Sequence, residues 1–279
     1  GVFVGMAFVP AGRVLFAPCG WMLDSYRFLC EVSLKIPGAQ RITGKPAHMR
    51  IFWYYLGLGV FLLAIYACAR RNEKHKDCRE TADLCVSRRK KRLQGIVFSC
   101  FIAFLLLFLL FPQKKSFEID FLDVGQGDGI YLCTGGGTSM FIDGGSTDVK
   151  QVGKYRILPF LKAKGVSEIS YWFVSHTDTD HVSGLKEVLV SGYRVEYLVF
   201  AKAVEKEAKT KELAELARSH GTKVLYMQAG DTVRSKRAAM RCLYPKASDK
   251  AEDVNDLCLV LQFEEGDIRA LFGGDISTD

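Results

Sequence analysis

The sequence predicts membrane-spanning α-helices followed by a layered α/β domain, and three observations carry that reading. Residues 51–69 and 95–111 contain no charged side chain, over lengths that reach or approach the ~17–25 residues a bilayer crossing takes. From Phe117 onward, short β-rich runs alternate with glycine turns and helical stretches, as in a sheet covered by helices. A dense run of imidazoles and carboxylates follows one of those strands. The 279 residues suit about two domains, here a membrane region over 1–112 and a globular domain over 116–279. The chain starts at Gly1 and stops at Asp279, directly after an apparent strand. The expectation is a fragment whose globular domain is incomplete at its C-terminus.

The elements follow in order. Residues 1–17 are apolar but interrupted by Pro10 and Arg13, which suggests the tail of an earlier span. Trp21 to Ile36 carries apolar residues at the spacing of an amphipathic helix. Trp53, Tyr54 and Tyr55 open the first uncharged run like an interfacial aromatic belt. Between the two runs, residues 70–92 hold ten Lys/Arg against four Asp/Glu. A short loop this basic stays in the cytoplasm under the positive-inside rule, which sends everything after Pro112 to the extracellular face. In the globular half, strands are expected at 117–122, 129–134, 139–143, 169–174, 196–200, 223–227, 240–244, 257–263 and 268–272. Helices are expected at Tyr155–Lys164, His181–Val190 and Val204–His220. Nine scattered Cys contain no CxxC, which argues against a zinc ribbon or a dithiol redox site.

The chemistry concentrates after the strand ending in Val174, in Ser175-His176-Thr177-Asp178-Thr179-Asp180-His181. In an extended turn His176 and Asp178, two apart, point to one side, while Asp180 and His181 diverge and serve a second ion. Such a set suits two divalent ions ~3.5–4 Å apart that clamp a phosphate and activate water. The plainer reading is a polar turn whose Asp180 caps the next helix, but a cap needs one such residue, not four. Gly125-Gln126-Gly127-Asp128-Gly129 lacks both a following helix and a Lys-Ser/Thr. That excludes a phosphate-binding loop and leaves Gly125, Gly127 and Asp128 as a tight strand-to-strand turn.

His176 to His181 (HTDTDH) resembles the HxHxDH metal motif of the metallo-β-lactamase superfamily, with Asp178 where a second His usually stands. That variant, in a membrane context, is similar to the ComEC family of DNA-uptake channels. Further likenesses run in the same order. Phe121 to Asp128 resembles the family's opening strand and turn, and Phe141-Ile142-Asp143-Gly144-Gly145 its first Asp motif. Asn255 to Leu261 resembles a strand that usually carries Ser at the place of Cys258, and Gly274-Asp275 a turn whose Asp bridges the metals. Residues from about Pro37 to Tyr66 are similar to the end of the family's channel domain.

The resemblance implies a four-layer αββα domain, truncated here, and a multi-pass protein of the bacterial cell membrane. Its partners would be DNA, the lipid bilayer and other competence-machinery proteins. His176 and Asp178 would hold one ion, Asp180 and His181 the other, and Asp275 would bridge them. Asp180 and His181 would also be catalytic, and Asp143 would hydrogen-bond the ligand loop rather than bind metal. Carboxylate in place of imidazole hardens the donor set and favours manganese over zinc. The family's later His-His-Gly-Ser motif would lie beyond Asp279, so residues 1–279 alone are expected to be inactive. The part after Pro112 is slightly acidic although the whole chain carries +7, so affinity for a polyanion needs local cations. Lys202, Lys206, Lys209, Lys211, Arg234, Lys236, Arg237 and Arg241 gather in the sequence, and Lys236 with Arg237 could form a DNA rim. The expected function is hydrolysis of phosphodiester bonds of incoming DNA on the outer face. The alternatives are an anchored metallo-hydrolase of another substrate and a catalytically silent DNA-guiding domain.

Overall fold

The computed structural model describes residues 9–36, 41–74, 84–111, 115–249 and 255–276. The chain divides into two compact units, Gly1–Ile42 and Thr43–Asp279. In the first, α1 is one continuous helix, Val9–Leu34, running through Pro18. The expected break between an apolar tail and a separate amphipathic helix is therefore absent. Pro10 lies in the helix's first turn, where its missing N–H has no partner to lose. The described side chains of α1 are almost all exposed, Trp21 and Leu23 among them.

In the second unit, α2 (His48–Lys74) and α3 (Leu84–Leu110) pack as an antiparallel pair. Phe61 stacks on Phe101 at 4.2 Å and on Phe98 at 5.4 Å, and Leu105 is buried opposite Gly57. At the other end of the pair Arg50 donates to the Phe111 carbonyl and lies over the Phe108 ring. Much of the basic stretch expected as a loop belongs to these helices, because α2 runs on to Lys74 and α3 begins at Leu84. Residues 75–83 and the boundary at Pro112 lie outside the described residues, as does the start of the channel-like segment at Pro37. Among the described residues one helix, over His48–Ala67, is long and apolar enough to cross a membrane, while the apolar part of α3, Gly95–Leu110, is shorter. Trp53, Tyr55, Leu63 and Leu107 point outward from the pair.

The globular part holds two sheets. The first has the order β1 (Glu118–Phe121), β2 (Gly129–Cys133), β3 (Ser139–Asp143), β4 (Glu168–Phe173), β5 (Arg194–Ala201), β6 (Lys223–Met227). Pairing is antiparallel through β3 and parallel from β3 to β6. The second is antiparallel, ordered β10 (Ile268–Phe272), β9 (Val260–Glu265), β8 (Ala238–Tyr244), β7 (Thr232–Ser235). Sequence alternation missed β7, since Thr-Val-Arg-Ser offers a single large apolar side chain. The strand expected from Leu257 begins at Val260, after a short 3-10 turn over Asn255–Leu257.

Strand periodicity builds both cores. Leu132, Met140, Ile142, Phe173 and Val199 face Met240, Cys242, Leu261 and Phe263 of the second sheet. On the opposite face of the first sheet, Tyr131, Phe141, Trp172, Leu198 and Phe200 meet the helices. These are a π-helical turn at Gly153–Ile157 continuing into α4 (Leu158–Ala163), then α5 (Thr179–Val190) and α6 (Ala208–Ser219). Strand β3 is covered on both faces and buried at every position. Three layers, helix–sheet–sheet, are thus present among the described residues. The fourth layer expected on the outer face of the second sheet is absent there, and Leu243 and Leu271 on that face are exposed.

Candidate metal centre

The parallel strands β3 and β4 end side by side, and their C-terminal ends deliver the candidate residues. Asp143, the last residue of β3, adopts φ 59°, a left-handed conformation that Asp tolerates better than most side chains. It is held from three directions. The Trp172 indole N–H donates to its carbonyl at 2.6 Å. The Ser175 backbone N–H donates to its Oδ1 at 2.7 Å. His181 Nδ1 lies 3.1 Å from its Oδ2, both side chains being only 2% exposed. Asp143 thus grips the start of the His176–His181 loop and the ring that closes it.

Asp178 occupies the N-cap position of α5, but its carboxylate makes no capping bond. The expected alternative, a turn whose Asp180 caps the helix, fails as well: Asp180 already lies in the first helical turn. Asp178 instead accepts a 2.9 Å hydrogen bond from Lys209 and turns Oδ2 toward His176 Nε2 at 3.9 Å. Asp180 Oδ2 and Asp275 Oδ2 lie 4.0 and 3.3 Å from His181 Nε2. The two imidazoles are 3.9 Å apart between centroids. Ser175 Oγ sits on their far side, 3.1 Å from His176 Nδ1 and 3.3 Å from His181 Nδ1. Hydrogen bonding at both Nδ1 atoms leaves both Nε2 atoms facing carboxylates, the arrangement second-shell partners give to ligating histidines.

Backbone packing sets the distances. Loop 122–128, between β1 and β2, is not the tight turn expected from its glycines; it folds back onto the site. Asp128 donates its backbone N–H to the Asp180 carbonyl and accepts from Gly145 N–H. A Cβ on Gly127 would stand 2.4 Å from the Asp180 carbonyl oxygen, and one on Gly145 2.4 Å from the His181 nitrogen. The close approach of three loops therefore requires glycine at both places.

Asp128, Asp143, His176, Asp178, Asp180, His181 and Asp275 converge here with Gly127 packed against them, whereas Gly125 lies against Asp148 and the proposed rim lies elsewhere. Ligand atoms of His176, His181 and Asp275 lie within 4.8 Å of one another, and so do those of Asp128, Asp143 and His181. Two buried imidazoles and a ring of carboxylates fit a divalent cation by donor chemistry. Asp128, read as a turn residue, stands among the candidate ligands. Sequence gave no sign of that, because its contact is made across the fold. Lys209, named only within the basic gathering, and Cys258, named only for standing where the resembled strand carries Ser, meet the centre across the fold in the same way. Cys258 Sγ lies 3.5 Å behind His176 at Nδ1, and burial pushes its thiol up to about 12. The rim residues Lys236 and Arg237 sit elsewhere, in the β7–β8 turn. Lys236 donates to the Gly136 carbonyl in the β2–β3 turn, at the end of the strands opposite Asp143.

Charge coupling is strong. Burial alone would lower the pKa of His181, but the Asp143 hydrogen bond and charge, with Asp275 and Asp180, hold it up to about 9. His176 moves the other way, pushed down by burial and by His181. Burial and the charge of Asp143 raise Asp128. The Lys209 ammonium holds Asp178 below the usual carboxylate range.

No protein-family model matches the chain. It is 27% identical over 212 residues to ComE operon protein 3 of Bacillus subtilis, covering 70% of this chain and 27% of that protein. It is 31% identical over 106 residues to Recombination protein 2 of Haemophilus influenzae, covering 37% of this chain and 13% of that one. The chain thus spans about a quarter or less of the relatives it matches. Among solved structures it is similar to the metallo-β-lactamase fold protein YhfI of Bacillus subtilis, with 13% identity, TM-score 0.38, and coverage of 53% of this chain and 55% of that one. A metallo-β-lactamase of Cronobacter sakazakii gives 14% identity and TM-score 0.39, covering 55% of both chains. With the HTDTDH loop following β4 beside the end of β3, the two curated relatives support a ComEC-like domain in this chain.

Proposed function

We propose that this chain is part of a multi-pass bacterial membrane protein that internalises DNA in natural competence. Its metal-dependent domain hydrolyses phosphodiester bonds of the incoming DNA at the outer face. The observation that carries the reading is the convergence of His176, His181 and Asp275 on one point, with Asp128, Asp143, Asp178 and Asp180 around it. Likeness to the two curated relatives supports the competence context. The antiparallel α2–α3 pair supports the topology. Its basic ends, near Lys74 and Leu84, lie opposite the end where Arg50 meets Phe111 and the globular domain begins. Basic ends facing the cytoplasm support an outer position for that domain.

His176, His181 and Asp275 would hold one cation, and the carboxylates of Asp178, Asp180 and Asp128 would complete the donor set for two. Divalent cations at this point would lower the pKa of a water molecule and neutralise charge on the phosphate. The excess of carboxylate over imidazole favours manganese over zinc. Asp143 does not bind metal in this reading; it fixes the His181 ring by accepting a hydrogen bond from Nδ1–H and fixes the loop by accepting from Ser175 N–H. Asp180, partly exposed at the rim, and His181 form the proposed catalytic pair.

The test compares the complete wild-type membrane protein of this reading with its His176→Ala variant. Metal content and cleavage of labelled DNA are measured with the protein in lipid vesicles. Bound manganese and metal-dependent cleavage in the wild type, both reduced in the variant, are expected. Absence of bound metal, or cleavage equal in both, refutes the reading.

A further inference from the structure

Lys209 is tied by an ion pair to the candidate centre, and nothing in the fold requires it there. It stands in the first turn of α6, while Asp178 precedes α5. Their side chains meet at 2.9 Å with Lys209 68% and Asp178 40% exposed. An ion pair this exposed contributes only about 0–1 kcal/mol to stability, so stability gives a weak account of its position. Charge gives a better one. Asp128, Asp143, Asp178, Asp180 and Asp275 ring the two imidazoles, and an anion approaching such a ring is repelled. Lys202 pairs with Glu205 and Lys186 with Glu212, while Lys236 lies at the far end of the strands.

Resting on the proposed hydrolase reading, we infer that Lys209 is the anion-docking residue of the centre, binding a non-bridging oxygen of the substrate phosphate at its solvent-facing rim. The ammonium has three donors on a flexible stem, so it keeps Asp178 on one while offering another to the phosphate. Asp178 still presents Oδ2 toward His176 Nε2. Specificity follows: the centre favours phosphodiesters over uncharged esters or amides, because only a charged ligand gains from Lys209. A guanidinium would serve the same purpose, and a neutral side chain of similar length would not.

The experiment uses the manganese-loaded chain and inorganic phosphate as the probe, followed by calorimetry, with metal content measured alongside. Lys209→Met is expected to weaken phosphate binding roughly 5–20-fold, Lys209→Arg to restore most of it, and metal content to stay at the wild-type level in both. In a cleaving preparation, Lys209→Met raises KM for bis(p-nitrophenyl) phosphate while kcat changes less. Phosphate affinity equal in wild type and Lys209→Met overturns the inference, as does a loss of metal that accounts for the whole effect. If DNA is cleaved but Lys209→Met is neutral, the inference falls and the hydrolase reading stands. If phosphate binding depends on Lys209 but nothing is cleaved, the reverse holds.

Discussion

The His181–Asp143 pair makes the metal-free domain's stability depend on pH in a way that can be worked out beforehand. In the folded chain His181 is raised from an ordinary 6.5 to about 9, against the burial that would lower it. A proton bound more tightly in the folded state stabilises it, fully below the unfolded value near 6.5, and that stability is lost as pH rises through about 9. The full contribution is on the order of 3 kcal/mol, a large part of a domain's typical ~5–15 kcal/mol. His176 is shifted downward, so its effect appears only as pH falls through and below the ordinary imidazole range, outside this window. The Asp143→Asn variant is the control, since Asn also tolerates a left-handed backbone and keeps an acceptor for Ser175 N–H. It should be less stable than wild type below pH ~7 and nearly pH-independent up to pH ~9. Urea unfolding of the chelated, detergent-solubilised chain, followed by amide exchange in β3, β4 and α5, measures both. Wild-type stability that is flat between pH 6.5 and 9, or an Asp143→Asn variant with the same slope, would refute the pairing as the source.

Manganese at a hundred times its dissociation constant should stabilise the folded wild type by about 2.7 kcal/mol, and His181→Ala should lose most of that gain in a thermal melt. Gly145→Ala drives a Cβ to 2.3 Å from the Asp180 carbonyl carbon, so it should destabilise by about 2–3 kcal/mol and reduce metal content; normal metal content in a folded variant would mean the loops do not need that contact. Trp172→Phe removes the 2.6 Å bond to the Asp143 carbonyl and should destabilise by about 1–3 kcal/mol, read as a lower urea midpoint. Lys236→Glu with Arg237→Glu, remote from the centre, should leave turnover of a small phosphodiester unchanged, while weakening binding of long DNA and flattening its salt dependence if that turn touches DNA.

What the sequence made legible was local. The period-2 runs located nearly every strand, because β3 and its neighbours bury alternate side chains against two different cores. The HTDTDH run stood out because metal-binding groups that dense have few structural uses in a turn. Strand β7 escaped because it lies at the edge of its sheet, where polar side chains suffice. The separation expected between the apolar tail over 1–17 and the helix from Trp21 did not hold, since a single helix runs through Pro18.

The centre itself was only half legible, and the missing half shares one property. Asp128, Lys209 and Cys258 reach His176, Asp178 or His181 across 31 to 82 positions of sequence or through a folded loop. No spacing rule sees such contacts. The substitution that sequence did show, a carboxylate at Asp178, takes its meaning from one of these hidden partners. With Lys209 on Oδ1, the carboxylate's added negative charge is offset on the solvent side while Oδ2 still faces His176. A His at this position would offer Lys209 no anion to pair with. The Asp178–Lys209 pair is therefore best treated as one unit, and this can be decided by a double-mutant cycle. Asp178→His and Lys209→Met should couple by at least 0.5 kcal/mol in phosphate affinity if the two act together, and should add independently if the carboxylate serves the metal alone.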